Sequence, residues 1–170
     1  MKNTTWNKEW RKSVIIVSGG FDPVHKGHLR MFREASWLGH QVIVGLNSDS
    51  WLRGKKGQTF MDFKERKEIL EGFKYVNQVL AFDDSDSTAC SLIKQVRTIY
   101  SGSGYNYNFL DSNPTGEAEY KLYFANGGDR TTDNVPEMKV CKQLDVTMLW
   151  GIGGGKIQSS SWLIDGGKDE

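Results

Sequence analysis

Apolar residues along the chain fall into short unbroken runs, separated by stretches in which they recur every three or four positions. Val14-Ile15-Ile16-Val17 is the first run, β-branched throughout and closed by Gly19-Gly20. That is the pattern of a strand buried on both faces of a parallel sheet. From Gly27 the period changes: Leu29, Phe32 and Ala35 recur at helical spacing, with Arg30, Arg33 and Glu34 on the other side, up to a stop at Gly39. Val42 to Leu46 reads as a second buried strand and is followed by a flexible Gly/Lys loop. Asp62 then stands as N-cap to a helix over Phe63 to Glu71, in which Phe63, Arg66, Ile69, Leu70 and Phe73 share a face. The same alternation predicts a strand at Val76 to Phe82, a helix at Thr88 to Tyr100 and a strand at Leu122 to Ala125. A helix at Val135 to Leu144, a strand at Val146 to Trp150 and a short helix at Ser160 to Ile164 complete it.

Five strands alternating with helices predict an α/β fold: a doubly wound, Rossmann-like five-stranded parallel sheet with helices on both faces. Ligands are expected where the strand order reverses, at the carboxyl ends of the strands. The segment Ser101 to Tyr120 breaks the rhythm, being rich in Gly, Ser, Asn and Tyr and longer than the roughly 2 to 6 residues of an ordinary αβ connection. It reads as an insertion, and the alternation of Tyr105, Tyr107 and Phe109 allows a small hairpin. The expected organisation is a polar lead over 1–12, one domain over 13–165 with an insertion at about 101–120, and a mobile polar tail over 166–170.

Composition narrows the classes. A chain of 170 residues with 38% hydrophobic residues is long enough for one core that needs neither disulfides nor a structural metal. Lys and Arg number 22 against 21 Asp and Glu, so the strongly basic footprint of a dedicated nucleic-acid binder is missing and no nucleic-acid partner is expected. No apolar stretch approaches the ~18 residues of a membrane span, and Met1 to Lys12 lacks the apolar core of a signal peptide. Cys90 and Cys141 stand without a CxxC or Cys/His spacing and read as reduced thiols. The expectation is a cytoplasmic protein with no membrane partner.

The chemistry gathers after the first strand, in Ser18-Gly19-Gly20-Phe21-Asp22-Pro23-Val24-His25-Lys26-Gly27-His28. The glycines let the backbone approach a ligand, Pro23 stiffens the turn, and a helix begins near His25, so its free N–H groups point into the site. His25 and His28 are three apart and share one side of that helix. Two donors can therefore flank one anionic centre, with Gly27 between them leaving room for a phosphate chain. The plainer alternative is that one histidine caps the helix and the other lies on the surface. His40, after the helix, reads as structural.

The run GGFDPVHKGH resembles the signature of the cytidylyltransferase-like nucleotidyltransferases, with their HxGH motif. Gly45-Leu46-Asn47-Ser48-Asp49, then Lys55, Glu65-Arg66-Lys67 and Tyr75-Val76, are similar in order to the glycerol-3-phosphate cytidylyltransferases and heptose-1-phosphate adenylyltransferases. Asn126-Gly127-Gly128-Asp129 with Pro136-Glu137 resembles the adenylyltransferase branch. Ser159-Ser160-Ser161 resembles the Ser-Thr-Thr that opens the last helix of both.

The resemblance implies transfer of AMP or CMP from a nucleoside triphosphate to a phosphorylated sugar or polyol, with release of pyrophosphate. Mg²⁺ is expected mainly through the substrate's phosphates, because nothing in the sequence resembles a dedicated protein cage. It implies His25, His28 and Lys55 as catalytic residues, and Gly19, Gly20, Phe21, Asp22, Gly27, Asp129, Ser159, Ser160 and Ser161 as nucleotide-binding residues. Lys56, Arg66 and Lys156 follow as further phosphate contacts. The insertion lies outside the resemblance; linking the end of a helix to the start of a strand, it belongs to the face opposite the expected site and is expected to serve packing or self-association, as in a homodimer. Each also has a plainer reading: Lys55 and Lys56 as a solvated basic loop, Ser159 as a simple N-cap, Arg66 as a solvated helix residue, and Asp129 as a turn residue. Gly20 offers no phosphate-binding side chain where relatives often carry Thr, Ser or Cys. Two further departures count against a simple glycerol-phosphate enzyme: Lys74 stands where those enzymes have Arg, and Gly153-Gly154-Gly155 holds no match for a family arginine. Two other readings stay open: an adenylyltransferase for a pantetheine- or nicotinamide-nucleotide-like phosphate, and a non-catalytic nucleotide-binding module.

Overall fold

A computed structural model describes residues 13–100, 120–127, 135–155 and 157–164. The predicted lead over 1–12, most of the insertion with its hairpin, and the tail lie outside them. Five strands, β1 (Ser13–Gly19), β2 (Gln41–Leu46), β3 (Gln78–Ala81), β4 (Lys121–Gly127) and β5 (Val146–Ile152), form one all-parallel sheet in the order β3-β2-β1-β4-β5. The chain runs outward from β1 to β3 and returns to place β4 on the other side of β1. The order therefore reverses between β1 and β4, as the predicted doubly wound topology requires.

Alternation along β1 divides the core. Ile15 and Val17 face one layer with Phe32, Ala35 and Leu70, whereas Val14 and Ile16 face the other with Leu92, Ile93, Val96 and Cys141. The first layer belongs to helices α1 (Lys26–Leu38) and α3 (Phe63–Glu71), the second to α4 (Cys90–Tyr100) and α5 (Glu137–Gln143). Phe32, wholly buried, contributes on the order of 2–3 kcal/mol by that burial alone. Tyr100 and Tyr120 flank the insertion and meet edge to face at 4.9 Å. Because β4 begins at Lys121 beside Ser13, the insertion leaves and returns at the amino ends of the strands.

Two expectations need correction. The Gly/Lys loop after β2 is a helix, α2 (Asp49–Lys56). Its signals are local: the Ser48 hydroxyl accepts the Trp51 N–H, Gly57 closes the end in the left-handed region at φ 79°, and Arg53, Lys55 and Lys56 complement the dipole in the last turn. Only Leu52 of this helix is buried, so it shows no apolar stripe. On α3, Ile69 lies 37% exposed, outside the face that Arg66 and Leu70 bury.

Candidate active site

The pairing between β1 and its neighbours creates the site. β1 stays in register with β2 as far as Gly19↔Leu46, but with β4 only as far as Ile16↔Phe124. β4 meanwhile pairs with β5 to Gly127↔Ile152, through an irregularity between Ala125 and Gly127. Beyond Ile16 and Phe124 the two central strands part, and a cavity of about 360 Å³ opens at their carboxyl ends.

His25 and His28 stand at its mouth, and their ring geometry follows from the start of α1. His25 is the N-cap: its Nδ1 accepts the Gly27 N–H at 3.1 Å, while Nδ1 of His28 accepts the His25 N–H at 3.2 Å. The rings stack at 3.7 Å between centroids, 20° apart in plane. A ring nitrogen that accepts a hydrogen bond leaves the proton of a neutral imidazole on the other nitrogen. Each histidine therefore carries Nε2–H as its one ring donor. Burial pushes His28 down to about 3, with His25 and Lys56 adding to the shift. His25 is lowered too, first by burial and then by Lys56. Both are neutral donors at ordinary pH. The capping expectation thus holds, and it uses only Nδ1 of each ring, so it does not compete with the phosphate expectation.

Phe21 supports the pair from behind, 4.8 Å edge-on to His28 and 5.4 Å from Phe32. A Cβ at Gly27 would lie 3.0 Å from Cε1 and Nδ1 of His25, so only glycine leaves that ring in place. On the facing wall α2 brings Lys55 and Lys56. Lys55 holds its ammonium 4.5 Å over the Trp51 ring, and Lys56 donates to the Asp22 carbonyl at 3.1 Å. Burial lowers Lys56, an effect the Asp22 carboxylate opposes and Arg66 reinforces. Ser159, Ser160 and Ser161 close the third side at the short helix α6 (Ser160–Ile164). Ser160 Oγ donates to the Pro23 carbonyl at 2.8 Å, which ties α6 to the loop before α1, and Ser159 Oγ accepts the Trp162 N–H at 3.3 Å.

Gly19, Phe21, His25, Gly27, His28, Lys55, Lys56 and the three serines line the cavity. Gly20, Asp22 and Arg66 are not among its walls. A Cβ on Gly20 would meet Leu52 Cδ2 at 2.6 Å, so this position faces the packing of α2 and its missing side chain removes no phosphate ligand from the cavity. Asp22 is wholly buried, and its carboxylate accepts from the Phe60 and Met61 N–H groups at 2.7 and 2.8 Å. Arg66, 1% exposed, is no solvated residue. It donates through Nε to the Met61 carbonyl, through Nη1 to the Gly20 and Asn47 carbonyls, and through Nη2 to Asp49 Oδ1 at 2.6 Å. These two residues fasten the turn after β1 to α2 and α3 and so position the cavity's walls. Asp129 and Lys156 fall outside the described residues. The cavity also takes in Ser18, Met31, Asn126 and the stretch Ile152 to Gly155; the sequence reading assigns none of these a binding role of its own, although Ser18, Asn126 and the three glycines stand in or beside its motifs.

What the geometry defines is a doubly wound α/β domain with a cleft at its switch point, lined by neutral imidazole donors, ammonium groups and hydroxyls. The family profile described as cytidylyltransferase-like matches residues 16–148, and the chain belongs to that family. It is 32% identical to the bifunctional protein HldE of Actinobacillus succinogenes over 124 residues, 72% of this chain and 25% of that protein. Glycerol-3-phosphate cytidylyltransferase of Staphylococcus aureus is 33% identical over 66 residues, 39% of this chain and 50% of the relative. The chain thus spans about a quarter of the first of these relatives and half of the second. Among solved structures, the lipopolysaccharide core biosynthesis protein from Thermoplasma volcanium shares the fold with a TM-score of 0.55 at 18% identity, over 81% of this chain and 93% of that one. No helix among the described residues is long and apolar enough to cross a membrane.

Proposed function

We propose that the chain is a nucleotidyltransferase that moves AMP or CMP from a nucleoside triphosphate to a phosphorylated sugar or polyol. The observation that carries this reading is the stacked His25–His28 pair, each Nδ1 fixed by a backbone N–H, on a cavity that also holds Lys55, Lys56 and three serines. An oxygen of the co-substrate's phosphate attacks the α-phosphorus in line. The new P–O bond forms as the bond to the β-phosphate oxygen breaks, and pyrophosphate leaves with that electron pair. No covalent enzyme intermediate is needed, so catalysis rests on positioning and on donors aimed at the charge that develops.

The Nε2–H groups of His25 and His28 serve the α-phosphate, and the lysines hold phosphate from the opposite wall. The serines bind the departing β- and γ-phosphates. Imidazole N–H, ammonium and hydroxyl groups suit phosphate oxygens rather than a hard cation, so Mg²⁺ enters on the triphosphate as part of the substrate. Because Gly20 faces Leu52, its lack of a hydroxyl gives no support to a non-catalytic module.

Pyrophosphate release from each of four triphosphates, against a panel of phosphorylated sugars and polyols, tests the reaction. His25→Ala and His28→Ala should each lower turnover on the order of 100-fold or more with the fold intact. Near-normal rates in either variant reject the assignment. ATP is the proposed nucleotide, on the resemblance carried by Asn126-Gly127-Gly128-Asp129, and competition between ATP and CTP at equal concentration decides it.

A further inference from the structure

Asn126, near the end of β4, stands where β1 and β4 part. It is 4% exposed and lines the cavity, yet its Nδ2 is buried with no hydrogen-bond partner among the described residues. Buried polar groups in folded proteins are nearly always satisfied, and an orphaned donor calls for an explanation. The other such atom among the described residues is Glu137 Oε2. It belongs to a carboxylate whose Oε1 already accepts the Ala89 N–H at 2.7 Å, and it does not line this cavity. Asn126 alone of the two faces space that a ligand can fill.

The surroundings say what kind of ligand atom belongs there. Ser18, on the stretch of β1 that no longer pairs with β4, lines the same cavity. The neighbouring walls are Ala125, Gly127, Ile152 and Met31. None carries charge, in contrast to the wall of Lys55 and Lys56. The terminal amide torsion of asparagine is soft, so rotation about it can present the N–H to the crevice.

We propose that Asn126 is a specificity-determining residue whose carboxamide N–H donates to an uncharged oxygen or nitrogen of a substrate, a sugar hydroxyl or a ring atom, in the crevice between β1 and β4. The inference rests on the cavity being a nucleotidyl-transfer site. The orphaned donor is satisfied only when substrate is bound, which makes the site selective: a substrate without the matching atom leaves the amide unpaired.

Two variants test it. Asn126→Leu keeps the approximate volume and removes the donor, and Asn126→Asp keeps the shape and replaces the donor by an acceptor. Three quantities are read: the melting temperature of the free protein, the Kd of ATP and of CTP by calorimetry, and the KM of the phosphorylated co-substrate. For Asn126→Leu the free protein should melt at or above the wild-type temperature, since an unsatisfied buried donor has gone. At least one affinity should fall tenfold or more in both variants. Weakening confined to a nucleotide places the recognised atom on the nucleoside, whereas unchanged nucleotide binding with a raised co-substrate KM places it on the sugar or polyol. Affinities within twofold of wild type in both variants overturn the inference, as does a lower melting temperature in Asn126→Leu with no selective loss. A wild-type chain that binds triphosphate but releases no pyrophosphate overturns the transfer reading alone, because the Kd comparison still decides the role of Asn126. A wild-type chain that binds neither nucleotide overturns both.

Discussion

The depressed basicity of His28 makes a quantitative demand on stability. Its ordinary value of 6.5 falls to about 3 in the folded protein, chiefly through burial. Below pH 6.5 the unfolded chain therefore takes up a proton that the folded chain refuses, and stability declines as the pH falls from that value toward 3. Between about pH 7.5 and about pH 5, linkage through this one group removes about 2 kcal/mol, or roughly 4–8 °C of melting temperature for a domain of this size. His25, lowered in the same direction, adds to the loss, so the wild-type profile alone does not isolate His28. The comparison with His28→Asn does, because the amide oxygen can still accept the His25 N–H while the side chain no longer titrates. Urea unfolding at both pH values should show the wild type losing about 2 kcal/mol more than the variant. Equal losses in the two proteins would show that His28 is not held neutral by its surroundings, and the picture of two neutral Nε2–H donors would go with it.

Three further outcomes follow from the same contacts. Gly27→Ala should lower turnover at least tenfold with little loss of melting temperature, because the added Cβ falls 3.0 Å from the His25 ring; unchanged kinetics would show that the ring position is immaterial. Arg66→Met should destabilise the chain by about 3–5 kcal/mol in chemical unfolding, since it strips buried carbonyls and Asp49 of their partner. An unchanged midpoint with weaker triphosphate binding would instead make Arg66 a direct ligand. Replacing 101–119 by a short Gly/Ser link should alter oligomeric state or stability more than turnover, because Tyr100 and Tyr120 set its ends at the amino side of the sheet. Sedimentation and steady-state rates check this, and a collapse of turnover in a folded, unchanged oligomer refutes it.

How much of this the sequence shows depends on how local the physics is. The five strands are legible because each is a run whose burial needs no partner to be named, and α3 because Asp62 caps it as it does in the structure. The helix α2 is missed because one buried leucine leaves no periodic stripe, although Ser48 and Gly57 mark its ends. In the site, His25 and His28 declare themselves through spacing at a helix start. The placements of Asp22, Arg66 and Gly20 do not, since each is decided by atoms far along the chain. Asp22 answers to N–H groups at 60 and 61, Arg66 to carbonyls at 20 and 47, and Gly20 to a side chain at 52. A carboxylate in a ligand loop and an arginine on an amphipathic helix look the same in sequence whether they meet substrate or hold the loop that does. Asn126 is visible in the sequence only as one member of the Asn126-Gly127-Gly128-Asp129 resemblance, because its own significance lies in the partner it lacks.

The histidine pair shows why stability and chemistry are hard to separate here, and how they can be separated. Nδ1 of each ring satisfies a backbone N–H at the start of α1, one of the four that a helix leaves unpaired. The same two bonds fix the tautomer and the ring planes, so the Nε2–H donors, proposed above to serve the α-phosphate, are oriented by the cap itself. Alanine at either position removes both functions at once, and a loss of activity could then be ascribed to either. Asparagine divides them, being among the best N-cap residues while offering no nitrogen where Nε2 stands. Preorganisation predicts that His25→Asn retains the wild-type melting temperature at neutral pH and still loses turnover on the order of 100-fold. If His25→Asn retained activity as well, the cap would be the whole role of the residue, and the charge on the α-phosphate would have to be met by Lys55, Lys56 and the serines alone.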